Sequence, residues 1–354
     1  MALESNGHIA PVENARQDLT GEPWSLDEDE IWWRDREKLL ERHGYSLRPR
    51  YQDRWVPSWF GKPDVKWTRC EDSRSLHLGV LDVTRRDGTD VMLKKVATDS
   101  TELAIAQFLT KPERMLDPRN HCVPILDHFA DDDDPFVHFI AMPVLRKFNS
   151  PPFYNVNEVL DFIEQTLEGI SFMHENGVAH RDCYYLNIML DANSMYPDGF
   201  HPINARSVKY YFIDFGLSSS FQDNHEPRLV TGMDSQLNDV PELSNEIPYD
   251  PFPVDIFLLG HLYHEFLISK YSNLHFLLPL ANSMTKENPT SRPSSEALRH
   301  FHELTSNQSW LSRQWRLRSP EETTKQGYIL NAKYTARQGC KVLKRIIEIF
   351  IGFS

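Results

Sequence analysis

Apolar residues recur at steps of three and four from Val156 to Glu175, at Val156, Leu160, Ile163, Leu167, Ile170 and Met173. That spacing predicts an amphipathic core helix, and Gly177 is its natural stop. A second helical stretch is predicted over 27–43, with Ile31, Trp32, Leu39 and Leu40 near helical spacing and Gly44 after them. From Asp64 the pattern becomes strand-like. Trp67–Cys70 and Leu76–Thr84 read as strands, and the Arg86-Asp87-Gly88 turn joins the second to Asp90–Val96 as a hairpin. Thr101–Leu109 reads as a short helix, and Asn120–Leu126 and Val137–Met142 as further strands. Asn149-Ser150-Pro151-Pro152 marks a boundary between lobes.

The ends differ from this middle. Residues 1–22 are polar and aperiodic and are expected to be disordered. Tyr45–Lys62 mixes Arg, Trp and Pro. Such a mixture can bind nucleic acid or phosphopeptide, but an extension packed on the following domain is the expectation for 23–63. In the tail 304–354, Val342–Ile351 reads as a short amphipathic helix with basic residues, expected to pack on the large lobe or to be disordered, with a membrane-surface or partner role as the alternative. A Pro/Gly/Asn-rich insert fills 191–209.

At 354 residues the chain can bury a large core in two lobes or domains. Lys+Arg number 38 against Asp+Glu 51, a net charge of −13, which argues against nucleic acid as the main partner. Four cysteines stand far apart with no CxxC pair, so a reduced intracellular compartment, cytoplasmic or nuclear, is expected and a zinc site is not. There is no basic segment followed by an apolar run near the N-terminus, so no signal peptide is expected. No apolar segment is long enough to span a bilayer.

The chemistry concentrates between His180 and Gly216. His180-Arg181-Asp182 is followed by Asn187 and the apolar run Ile188-Met189-Leu190, and Tyr210-Tyr211-Phe212-Ile213 leads into Asp214-Phe215-Gly216. Two acids and an amide at the edges of apolar runs suit phosphoryl transfer. Asp182 can accept the proton of an attacking hydroxyl, while Asp214 and the Asn187 amide oxygen can hold Mg²⁺ against phosphates.

The ordered pair H-R-D-x-x-x-x-N then D-F-G resembles the eukaryotic protein kinase family. The whole chain, extension included, resembles fungal kinase-like proteins. The resemblance implies an α+β, two-lobed protein-kinase-like fold: a small antiparallel β lobe with one helix over 64–148 and a large, mainly helical lobe over 149–303. It implies ATP and Mg²⁺ as cofactors and protein Ser/Thr hydroxyls as acceptors. Lys94, in Val91-Met92-Leu93-Lys94, is then the lysine of the α/β-phosphates, and Glu102 its helix partner. Met142 falls at the back of the adenine pocket, and the Pro143 carbonyl and Leu145 amide are the hinge groups for adenine. Arg181 would pair with a phosphate on the activation segment, with Ser218, Ser219, Ser220 and Thr231 as candidates. Val240-Pro241-Glu242 resembles the closing A-P-E. Val254-Asp255-Ile256-Phe257-Leu258-Leu259-Gly260 resembles the helix whose Asp anchors the catalytic loop. Asn288–Leu298 resembles the late R-P motif, which implies a buried Glu242–Arg292 ion pair.

Two departures remove phosphate stabilisation. The glycine-rich loop is replaced by Glu71-Asp72-Ser73-Arg74-Ser75-Leu76, with Gly79 alone, although glycines there let backbone amides approach phosphates. The lysine two residues after the catalytic Asp is also missing: Cys183-Tyr184-Tyr185-Leu186 follow Asp182. Both favour the alternative of a pseudokinase that serves as an ATP-binding or scaffolding module. Intact Lys94, Asp182, Asn187 and Asp214 favour an enzyme. A small-molecule phosphotransferase on a related fold is a further alternative, opposed by Val240-Pro241-Glu242 and Arg292.

Overall fold

Strand pairing begins earlier in the chain than the apolar pattern suggests. The computed structural model describes residues 25–351 apart from 53–54, 63, 71, 73–78, 192–207, 222–226 and 295, and leaves out the side chains of 337–338 and 341–351. The segment 1–22, most of the 71–76 loop and most of the 191–209 insert therefore lie outside the described residues. The chain divides into two compact units: Met1–Ser100 with Pro124–Val144, and Thr101–Val123 with Leu145–Ser354.

The first unit opens with α1 (Glu28–Arg34) and α2 (Glu37–Arg42). Its sheet has five strands: β1 (Tyr45–Leu47), β2 (Val80–Arg85), β3 (Asp90–Ala97), β4 (Asp127–Ala130) and β5 (Val137–Pro143). Their order is β1-β2-β3-β5-β4, and every neighbouring pair is antiparallel. Register sets Leu81 against Leu93 and Val83 against Val91, which places these four side chains on one buried face with Phe129 and Phe139. The extension covers that face. Trp33, Leu39, Leu40, Tyr45, Leu47 and Tyr51 belong to the same core cluster, so 23–63 completes the sheet and its core. Each such buried apolar side chain contributes about 1.5–3 kcal/mol.

Polar contacts set where α1 ends. The single helix expected over 27–43 breaks at Asp35-Arg36, where Arg36 folds back over the Trp32 ring at 3.6 Å and donates to the Trp32 carbonyl and the buried Asp131. At the other end, Asp27 and Glu30 form a capping box. The Glu30 carboxylate also accepts two hydrogen bonds from the buried Arg50, at 2.7 and 3.0 Å, and one from the Tyr51 hydroxyl. Trp67–Cys70 is not a strand. Trp67–Arg69 forms a 3₁₀ turn with an exposed Trp67, because β1 takes the β2 edge where such a strand would pair.

The second unit begins with α3 (Thr101–Leu109) and α4 (Pro112–Met115). The helix expected in the small lobe thus groups with the second body. No ladder forms over Asn120–Leu126. Cys122 makes a single parallel bridge to Phe212, and the Asn120 side chain takes over local backbone groups by donating to the Leu109 and Arg114 carbonyls and accepting from the Cys122 amide. After β6 (Arg146–Lys147) comes α5 (Val156–Glu175), capped by Asn155, whose side chain accepts from the Glu158 amide. Gly177, at φ 72°, follows that helix in the left-handed conformation. Gly169 lets α5 approach the sheet, since a Cβ there would lie 2.7 Å from His121 Cβ and 2.8 Å from the Phe212 ring.

Short strands then frame the loops: β7 (Val178–Ala179), β8 (Ile188–Asp191), β9 (Lys209–Phe212), β10 (Ser219–Ser220), β11 (Val230–Gly232) and β12 (Ser244–Tyr249). β6-β8-β9 form one sheet, β7 pairs with β10, and β11 with β12. The remaining helices are α6 (Phe252–Tyr263), α7 (Leu278–Met284), α8 (Ala297–Ser306), α9 (Trp310–Arg313) and α10 (Thr324–Ile351). The tail helix starts eighteen residues before the expected Val342. The segment before it is tied into the unit: the Trp315 carbonyl accepts from the Val156 amide, and Arg316 binds Glu322 and Asn331. Among the described residues no helix is long and apolar enough to cross a membrane, and all four cysteines are free thiols.

Candidate active site

The loop from β7 to β8 carries His180, Arg181, Asp182 and Asn187, and one buried carboxylate organises it. Asp255 lies on α6 with no exposed surface. Its Oδ2 accepts from the His180 amide at 2.8 Å and His174 Nε2 at 2.9 Å, and its Oδ1 accepts from the Arg181 amide at 2.6 Å. These bonds hold Arg181 in a left-handed backbone conformation, φ 69°, which costs on the order of 1–3 kcal/mol in a residue with a side chain. His180 adds a second strut. Its Nδ1 accepts from the Asp182 amide, which leaves the proton on Nε2 to donate to the Ile213 carbonyl at 3.0 Å. The loop before Asp182 is thereby tied to the residue before Asp214.

Asp182 and Asn187 meet directly. Asn187 Nδ2 donates to the Asp182 carbonyl at 3.0 Å and to its carboxylate Oδ2 at 2.7 Å. Both donors of that amide serve the loop, and its Oδ1 faces the opposite way. The carboxylate has further donors from the segment after β11. Its Oδ1 accepts from the Gln236 amide at 2.7 Å and Ser235 Oγ at 3.3 Å, and its Oδ2 accepts from Gln236 Nε2 at 3.0 Å.

Asp214 follows β9 and has φ 62°, the second strained residue of the unit. It is exposed, while Phe215 is buried with its ring 5.4 Å from the His180 ring. Glu102, buried on α3, approaches the same turn: a Cβ on Gly216 would lie 3.1 Å from Asp214 Oδ1 and 3.5 Å from Glu102 Oε2. The second unit thus brings together Arg181, Asp182 and Asn187 in one loop, and Asp214 and Glu102 around Gly216. Lys94 and Pro143 lie in the first unit. Lys94 is mid-strand in β3, opposite Val80 and Ile140, and Pro143 ends β5 opposite Val91. Leu145 opens the second long segment of the other unit.

Arg181 has neutral partners. Its Nη1 donates to the Leu217 carbonyl, and its Nη2 to the Thr231 carbonyl at 2.9 Å and the Tyr249 hydroxyl at 3.1 Å. Carbonyls and a phenol stand where the motif implied a phosphate. Cys183 is buried beneath the loop, and burial first, then the nearby Asp255 and Asp182 charges, push its thiol well above the usual range. It stays protonated and is no nucleophile. The Glu242–Arg292 pair forms: two parallel bonds of 2.5 and 2.9 Å link the side chains, and Arg292 also donates to the Lys286, Pro253 and Glu287 carbonyls.

Comparison with family models matches residues 83–275 to the protein kinase domain, more than half of the chain. The chain belongs to the protein kinase family. Similar curated kinases include serine/threonine-protein kinase CAK1 of Saccharomyces cerevisiae, 34% identical over 108 residues, or 30% of this chain and 26% of that protein. Serine/threonine-protein kinases ppk8 and chk1 of Schizosaccharomyces pombe are 32% and 35% identical over 102 and 100 residues, each 28% of this chain and 17% of the relative. The matched stretches span about a quarter or less of these relatives' own lengths.

Within this kinase domain, three site residues escaped the reading of the sequence. Ser235 and Gln236 reach Asp182 from more than fifty positions away, and Tyr249 reaches Arg181 from 68 positions away. The kinase motifs name only their own positions. The one signal available was proximity to Glu242, which places Ser235 and Gln236 in the segment that the A-P-E-like motif closes.

Proposed function

We propose that this kinase domain transfers the γ-phosphate of ATP to Ser/Thr hydroxyls of proteins. The observation that carries the reading is the Asp182–Asn187 arrangement: the Asn187 amide donates to both the carboxylate and the backbone carbonyl of Asp182, in a loop anchored from below by Asp255. Asp182 orients the acceptor hydroxyl and takes its proton as the oxygen bonds to phosphorus and the bond to ADP breaks. Lys94 supplies the cation for the α/β-phosphates, with Glu102 assigned as its partner on the family resemblance. Pro143 and Leu145 offer a carbonyl and an amide for adenine, and Arg181 acts by holding the loop.

The donor set fits Mg²⁺. Asn187 Oδ1 and the Asp214 carboxylate are hard oxygen ligands, and Mg²⁺ bound beside a nucleotide takes one or two protein oxygens and completes its shell with phosphate and water. When bound it would neutralise charge on the phosphates. Glycine at 216 spares the Asp214 carboxylate a crowded contact, since a Cβ there would lie 3.1 Å from its Oδ1.

A specific observation supports a second reading, a pseudokinase. Both Asp182 oxygens already accept from the chain's own donors, and no lysine follows Asp182 in the loop. The test offers Mg·ATP with a panel of proteins, and separately with small alcohols and amines. The proposed function predicts phosphate on protein Ser/Thr. Phosphate on the small acceptors alone would make the chain a small-molecule phosphotransferase, and nucleotide binding without transfer to any acceptor would make it a pseudokinase.

A further inference from the structure

We infer that Gln236 is a positioning residue that orients the Asp182 carboxylate in place of the missing catalytic-loop cation. The inference rests on the protein kinase reading above. Two residues after Asp182 stands Tyr184, which is buried, with its hydroxyl turned to His261 and Glu265. It offers nothing to the carboxylate. The donors on Asp182 come instead from Asn187 and from the segment 235–236.

Gln236 spans the loop. Its Nε2 donates to Asp182 Oδ2 at 3.0 Å, its Oε1 accepts from the Leu186 amide at 2.9 Å, and its own amide donates to Asp182 Oδ1 at 2.7 Å. One side chain therefore grips both ends of the stretch 182–186, and both carboxylate oxygens are fixed. The chemistry of an amide is specific to this arrangement. A lysine could donate to Asp182 but could not accept from Leu186. A glutamate could accept from Leu186 but would set a carboxylate against a carboxylate. An amide of this length does both. Because Gln236 belongs to the segment closed by Glu242, the orientation of the catalytic carboxylate depends on that segment being folded.

The test uses the full chain and three variants: Gln236→Met and Gln236→Glu, which keep the shape, and Gln236→Lys. Loss of orientation at the proton acceptor should lower kcat by about ten- to a hundredfold in Gln236→Met and more in Gln236→Glu, with KM for ATP within about twofold of wild type. Gln236→Lys, which keeps the donor, should lie between Gln236→Met and wild type. A side chain that merely fills space would tolerate Met, so wild-type kcat in Gln236→Met overturns the inference. A higher kcat in Gln236→Met also overturns it and makes the contact an inhibitory plug. Amide exchange at Leu186 gives a readout independent of activity: it should be about tenfold faster or more in Gln236→Met, and unchanged exchange overturns the clamp. Should wild type transfer no phosphate, the kinase reading fails, and the exchange measurement still decides whether the clamp exists.

Discussion

Replacing Asp255 by alanine should destabilise the second unit by about 2–4 kcal/mol and reduce phosphate transfer by about a hundredfold or more. Asp255 has no exposed surface and accepts from two backbone amides and from His174. Removing it leaves the His180 and Arg181 amides buried without an acceptor. Some of that cost is offset, because a buried carboxylate is itself expensive. The kinetic effect should be of the same order as the stability effect, since a hundredfold is about 2.7 kcal/mol. Without Asp255 the Arg181 amide loses the acceptor that holds it at φ 69°, and the next residue is Asp182. Urea midpoints and initial rates of transfer check the two parts separately. A variant with a lowered midpoint and a wild-type rate would show that the anchor stabilises the lobe without positioning its loop.

Arg292→Met should cost about 3–5 kcal/mol, because it strands a carboxylate in a nearly dry site. Arg292 has a side chain with no exposed surface, and Glu242 retains 9%. The loss should also be lopsided. Arg292 donates to three backbone carbonyls besides Glu242, so Glu242→Gln leaves the guanidinium with partners and should cost less, about 1–3 kcal/mol. The pair Glu242→Leu with Arg292→Met, which leaves no lone charge, should cost less than the two single changes added together. Denaturant unfolding of the four proteins measures the cycle. Strict additivity would mean that the ion pair contributes nothing.

Where the chain was readable, the reason is local. Val156–Glu175 has a long apolar period, a polar cap and a terminal glycine, and the helix occupies those same residues. The Glu242–Arg292 pair spans 50 positions, yet each partner carries its own short motif. What was not readable depends on partners far along the chain. β1 has three residues, too few for an alternation to register, and becomes a strand because β2 offers an edge. Trp67–Cys70 has the composition of a strand, but β1 already occupies the β2 edge. Arg36 ends α1 through Asp131, 95 positions away. Gln236 is the same case at the active site, since nearby Glu242 marks its segment but not its contact with a carboxylate 54 positions earlier.

The most direct measurement is the intact mass of the purified chain and of added protein substrate after Mg·ATP, beside an Asp182→Asn control. The account predicts phosphate with the wild type and a rate lower by about 10²–10⁴-fold with the control, since an amide cannot take the hydroxyl proton. Equal masses for wild type and control, at saturating Mg·ATP and with substrate present, would contradict the assignment of Asp182 as the proton acceptor.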